Sequence, residues 1–242
     1  MYDLPSEDPK EPGLPDEFHD FQPELLRRTF KPPHYQPEQV FSGSDLNLYY
    51  DLAHSQWYKR PDWFGVVGER SFYESAQLRR SYVMWQERVP PMVIVELVSP
   101  GTEGEDLGET THQEEEAPTK WEVYEEILQV PYYVVFNRYI GQLRAFFHEN
   151  HGYEELPLTE PKIWMPKLEL GLGLWFGTYE TGLRKIEGFW LRWYDLEENW
   201  ILTDTEIERQ RAEQERQRAE LLAEKLRELN IDPDIVGLSP QD

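Results

Sequence analysis

The run "MVIVELV", Met92 to Val98, carries one carboxylate, Glu96, among apolar and β-branched side chains. Strand residues alternate faces, so Val93, Val95 and Leu97 share one face, while Met92, Ile94 and Val98 share the other with Glu96. A strand apolar on both faces reads as central in a sheet. A lone carboxylate there costs several kcal/mol unless it is paired or bound to a metal. Two other segments supply partners. "RPDW" puts Asp62 at the start of a second strand, and "TKWEVY" puts Lys120 in the first turn of a helix. A cation in that turn faces the positive end of the helix macrodipole at a cost of roughly 0.3 to 1 kcal/mol, which points to a further partner for Lys120. Two acids and a lysine converging beside a strand edge match the needs of metal-assisted phosphodiester hydrolysis. The carboxylates hold a hard divalent cation that polarises the phosphate and lowers the pKa of water, and the ammonium orients that water and balances charge. The same residues also read as a structural Glu96–Lys120 salt bridge, and residue types alone leave both readings open.

The elements that would position these groups are marked by their punctuation. Pro90–Pro91 and Ser99–Pro100–Gly101 bound the Glu96 strand, and Pro61 and Gly68 bound the Asp62 strand. Thr119 with Glu122 matches a capping box, and Val123, Tyr124, Ile127 and Leu128 follow at helical spacing. "PYYVVFN" is a further β run closed by Asn137, and "GQLRAFFHENHGYEEL" reads as a hairpin turning at "HENHG". Ser44 is a candidate N-cap for a short helix over residues 45–54. The aromatic stripe "FWLRWY" alternates with period two, which sheet packing explains more simply than base stacking. Together these predict an α/β fold with a mixed central β-sheet flanked by helices.

Three regions follow. Residues 1–40 read as an extended, acidic, Pro-rich arm, residues 41–202 as the α/β domain, and residues 203–242 as a charged helical tail. The tail repeats "RQRAE" at residues 209–213 and 216–220. Ala212, Ala219 and Leu226 fall on one heptad position and Leu222 and Leu229 on another, a coiled-coil-like pattern ended by Pro233.

The formal net charge is −23, the reverse of the basic footprint that phosphate binding usually shows. Its distribution weakens the objection: 17 of those charges fall in residues 1–40, 101–119 and 203–242, leaving the domain only mildly acidic. Residues 101–119 carry seven acids without periodicity and read as a solvated loop that lacks the ligand pattern of an EF-hand. The absence of cysteine excludes disulfides and thiolate metal sites. His148 and His151 share a turn rather than a metal cluster, and no phosphate-cradling Gly-rich loop occurs. With no run of ~20 apolar residues and an acidic, Pro-rich start unlike a signal peptide, the expectation is a cytoplasmic protein without membrane contact.

In order, "RPDWFGVVG", "PPMVIVELVSPGT" and "KWEVYEEILQVPYYVVFN" resemble the signature blocks of a large bacterial family of restriction-endonuclease-like proteins assigned to the PD-(D/E)xK nuclease superfamily. The similar region covers roughly residues 40 to 180. The resemblance implies a metal-dependent endonuclease acting on DNA with Mg2+ or Mn2+. In it Asp62 takes the place of the Pro-Asp aspartate and Glu96 that of the next acid. Val98 stands where the superfamily expects lysine, and Lys120 matches the lysine that the family supplies from the following helix. The backbone carbonyl of Leu97 is implied as a further metal ligand. Asp45 and Asp51 are candidates for the superfamily's N-terminal acid, and Asn137 stands where the family commonly has Asp. The acidic insertion between Glu96 and Lys120 is longer than usual. Expected partners are DNA, a second copy of the chain in a homodimer, and a protein bound through the C-terminal helix. The rival expectation is an inactive nuclease fold serving as a protein-interaction module through its acidic loop and tail.

Overall fold

Burial of the apolar runs in a computed structural model, which describes residues 16–68, 78–99, 103–110, 116–149, 151–182 and 184–229, produces an α/β architecture. The chain divides into two compact units, Met1–Ile201 and Leu202–Asp242. The first opens with helix α1 (Glu17–Thr29), then strands β1 (Val40–Gly43), β2 (Leu48–Tyr49), β3 (Tyr58–Lys59), β4 (Trp63–Val67) and β5 (Tyr82–Val83). Short helix α2 (Met84–Glu87) leads to β6 (Val93–Leu97), and short helix α3 (Glu103–Asp106) precedes α4 (Lys120–Glu122), which runs on as a π-type turn over Val123–Ile127. Strands β7 (Tyr132–Asn137), β8 (Gln142–Glu149), β9 (Gly152–Glu155), β10 (Lys162–Met165), β11 (Leu170–Thr181) and β12 (Arg184–Tyr194) complete it.

The central sheet has the order β1-β4-β6-β7-β8-β9. Only β6 and β7 run parallel; the other neighbours are antiparallel, so the sheet is mixed as expected. Strand β6 is buried along its whole length, which is why its sequence is apolar on both faces. Val93, Val95 and Leu97 join one core with Phe18, Leu25 and Leu26 of α1 and Trp193 of β12. Ile94 and Val98 join the other core with Phe64, Val123, Tyr124 and Tyr133. The stripe "FWLRWY" packs as a strand: Trp190 to Tyr194 are buried, and only its first residue, Phe189, is exposed.

Three expectations are corrected. The stretch read as an extended arm contains α1, capped by Asp16 and locked onto β12 by Gln22, which exchanges two 2.8 Å hydrogen bonds with the Leu191 backbone. Its acidic surface hid a buried stripe of Phe18, Gln22, Leu25, Leu26 and Thr29. Residues 45–54 form no helix: Leu48 and Tyr49 lie in a small sheet ordered β3-β2-β5. Pairing on both sides with β3 and β5 outweighs the capping signal of Ser44. Residues 101–119 are not wholly a solvated loop, since Asp106 is buried and Leu107 packs into a core; residues 101–102 and 111–115 lie outside the described residues.

The β8–β9 hairpin forms where "HENHG" predicts it, with Glu149 paired to Gly152. In the second unit, the tail is helix α5 (Asp204–Glu228), begun by a capping box between Thr203 and Glu206, and an Arg216–Glu220 ion pair at 3.0 Å lies along it. Among the described residues no helix is long and apolar enough to cross a membrane.

Candidate active site

Antiparallel pairing of β4 with β6 sets Trp63 opposite Val95, so the next pair outward places Asp62 opposite Glu96. Facing residues of such a pair project to the same side of a sheet. The two acids clasp each other's strands. The Asp62 N–H donates to Glu96 Oε2 at 3.3 Å, and Asp62 Oδ2 accepts the Leu97 N–H at 2.7 Å. This corner lies at the carboxyl end of β6, the end where open α/β sheets gather their ligands.

The crossover from β6 to parallel β7 returns over this corner and brings the lysine. Thr119 and Glu122 form the predicted capping box: Thr119 Oγ1 accepts the Glu122 N–H at 3.2 Å, and Glu122 Oε2 accepts the Thr119 N–H at 2.7 Å. That start fixes Lys120 at the first helical position. Its ammonium lies 3.3 Å from Glu96 Oε2 and 2.7 Å from Asp106 Oδ1. The partner that its awkward position at the helix start called for is therefore a pair of carboxylates. The π-type turn then aims the Tyr124 hydroxyl at the same strand, where it donates to Glu96 Oε1 at 2.9 Å.

Asp62, Glu96 and Lys120 are thus brought together. The Leu97 carbonyl lies beside them and sits 3.2 Å from His19 Nε2, whose other ring nitrogen is 2.9 Å from Asp16 Oδ1. Asp45 and Asp51 are elsewhere engaged, Asp45 with Arg60 at 2.6 Å and Asp51 with His54 at 2.6 Å. Asn137 closes β7, its side chain accepting the Tyr139 N–H. Sequence reasoning missed Asp106, Tyr124 and the Asp16–His19 pair. For Asp106 the only signal was a lysine short of a partner; the α1 residues were hidden in a stretch read as unstructured.

The electrostatics follow from burial. Glu96 is fully buried, and desolvation, partly offset by Lys120, pushes its carboxyl up to about 7. Burial likewise raises Asp62 above the ordinary aspartate range despite its bond from Leu97. Burial opposes the Lys120 charge, but Glu96 and Asp106 together hold its ammonium above the ordinary lysine range. The corner thus sets two buried carboxyl groups, Glu96 and Asp106, against one ammonium.

A family model described as "Putative restriction endonuclease", Uma2, matches residues 9–179. The chain belongs to the Uma2 family. This is a restriction-endonuclease-like family of the PD-(D/E)xK type, a nuclease family, and its mixed sheet is the fold observed. The Uma2 match starts well before residue 40 and so takes in α1, in keeping with that helix being part of the core. Among curated proteins, none matches the chain.

The donor set bears on whether a cation suits this Uma2 chain. Among the described residues no three His, Cys, Asp or Glu side chains converge as a ready metal cage. The carboxylates of Asp62 and Glu96 do lie on one strand end, and Mg2+ keeps several waters and uses one or two carboxylates. Two carboxylates held above their usual range by burial are also groups that a nearby cation would favour as anions.

Proposed function

We propose that this chain is a metal-dependent endonuclease that hydrolyses DNA phosphodiester bonds. The observation that carries the reading is the meeting of Asp62 and Glu96 at one strand end, where Asp62 also accepts the Leu97 N–H, with the Lys120 ammonium 3.3 Å from Glu96. Asp62, Glu96 and the Leu97 carbonyl would hold Mg2+ or Mn2+, whose chemistry is to polarise a phosphoryl oxygen and lower the pKa of water. Lys120 would orient the water and offset charge growing on the phosphate. Tyr124 keeps Glu96 in place by occupying its Oε1.

The test is calorimetric titration of the folded protein with Mn2+ and Mg2+, beside Asp62→Ala and Glu96→Ala, followed by DNA cleavage assays. Saturable binding abolished by either substitution, with metal-dependent cleavage lost in Lys120→Ala, supports the reading. A wild type that binds no metal overturns it. The interaction-module reading then takes its place, favoured by the net charge of −23.

For assembly, the heptad seam of α5 supports pairing with a second copy, since Leu222 and Leu229 are both exposed. Removing residues 203–242 then converts a dimer to a monomer in solution, and an unchanged oligomeric state removes α5 from the assembly.

A further inference from the structure

Asp106 belongs to the acidic stretch that composition marks as solvated, yet its side chain is only 1% exposed and touches the candidate lysine more closely than Glu96 does. Three features seat it. The Tyr133 hydroxyl donates to the Asp106 backbone carbonyl at 2.8 Å. Leu107 packs into the core that holds Tyr124 and Tyr133. Gly108 follows with φ +72°, and a Cβ there would lie 2.7 Å from the Trp121 ring, so the chain can pass this close to the first turn of α4 only with glycine. The carboxylate is therefore delivered to Lys120 by a fitted piece of structure, not by a chance surface pairing.

Its role follows from charge. Glu96 and Asp106 flank the one ammonium of Lys120 and Asp62 adjoins Glu96; with all three acids ionised, two negative charges are left over, which a single divalent cation would cancel. A dication held by Asp62 and Glu96 would compete with Lys120 for the Glu96 charge and would repel the ammonium. A second buried carboxylate, bonded to Lys120 and not to the cation, lets both positive charges occupy one corner.

We infer that Asp106 is a positioning residue, the counter-charge that keeps the Lys120 ammonium in the site when Asp62 and Glu96 hold a metal ion. The inference rests on the proposed nuclease reading. It also gives the insertion a constructive part, since one of its acids completes the site.

The test uses the full chain with Mg2+ as probe, read by calorimetry and by 15N NMR of the lysine ammonium groups. In the wild type, Lys120 is expected to remain protected from solvent exchange as Mg2+ fills the site. In Asp106→Asn, Mg2+ affinity stays close to wild type while Lys120 loses protection, and DNA cleavage falls roughly 10- to 100-fold, the usual scale for a supporting residue. Asp106→Glu, which keeps the charge, restores part of both signals. Loss of Mg2+ binding in a folded Asp106→Asn overturns the inference by making Asp106 a ligand. Unchanged Lys120 protection overturns it by making the contact incidental. Where Asp106→Asn does not fold, the wild-type titration decides: an ammonium that becomes exposed on Mg2+ binding is not held by Asp106. A wild type that binds no Mg2+ overturns the nuclease reading together with this one, whereas Mg2+ binding with an indifferent Lys120 overturns this one alone.

Discussion

The Tyr124 hydroxyl donates to Glu96 Oε1 at 2.9 Å while Lys120 lies against Oε2, so both oxygens of a fully buried carboxylate are engaged by α4 and the turn that continues it. Tyr124→Phe removes one of these bonds without changing shape. It is expected to cost about 1.5 to 3 kcal/mol in urea unfolding, the scale for a hydrogen bond to a charged group. Because the hydroxyl favours the ionised carboxylate, Glu96 should also titrate at higher pH in the variant, which carbon-detected NMR of its carboxyl group measures.

The buried state of Glu96 makes metal-free stability depend on pH. Its folded-state pKa, about 7, lies above the usual 4.5. A carboxyl raised in this way stabilises the fold fully below pH 4.5, and that contribution is lost as pH rises through 7. The loss amounts to roughly 3 kcal/mol at 1.36 kcal/mol per unit. Glu96→Gln, which stays neutral, should flatten this part of the profile. Chemical denaturation in a chelator from pH 4.5 to 8 would show it, and an identical slope in the variant would contradict the assignment.

Lys120→Met leaves the carboxylates of Glu96 and Asp106 buried without their shared cation. Breaking a buried ion pair by removing one partner typically costs 3 to 5 kcal/mol, and a fall of that size in unfolding free energy is expected here. A cost near zero would mean that water reaches the corner.

Helix α1 should behave as core. Leu25 is fully buried, so Leu25→Ala is expected to cost about 2 to 5 kcal/mol. Gln22→Leu should also destabilise, because it strands the Leu191 N–H and carbonyl that the amide now satisfies. If thermal unfolding of Leu25→Ala matched wild type, α1 would be the arm that its composition suggests.

Gly108→Ala combines a positive φ with a Cβ 2.7 Å from Trp121. A left-handed non-glycine residue costs about 1 to 2 kcal/mol before any clash. The expected result is a lower melting temperature together with weaker protection of Lys120, since α3 can no longer approach α4 so closely.

Local patterning determined much of this protein. Two-sided apolarity marked β6 as central, the capping box located the start of α4, and a lone carboxylate and an awkwardly placed lysine marked the two charges that meet at 3.3 Å. These signals are legible because period, punctuation and burial cost act within a few residues of chain. What only the tertiary structure decided involves residues whose local signals point the wrong way. An acidic, Pro-rich stretch conceals α1 because its buried stripe gains stability only once β12 and β6 are present to cover it. An acidic loop conceals Asp106 because nothing in its neighbours distinguishes one carboxylate from six others until Tyr133, Leu107 and Trp121 select which is buried. The physical reason is the same in both cases: burial of a charge or an amphipathic helix is stabilised by partners far along the chain, and sequence spacing does not carry that information.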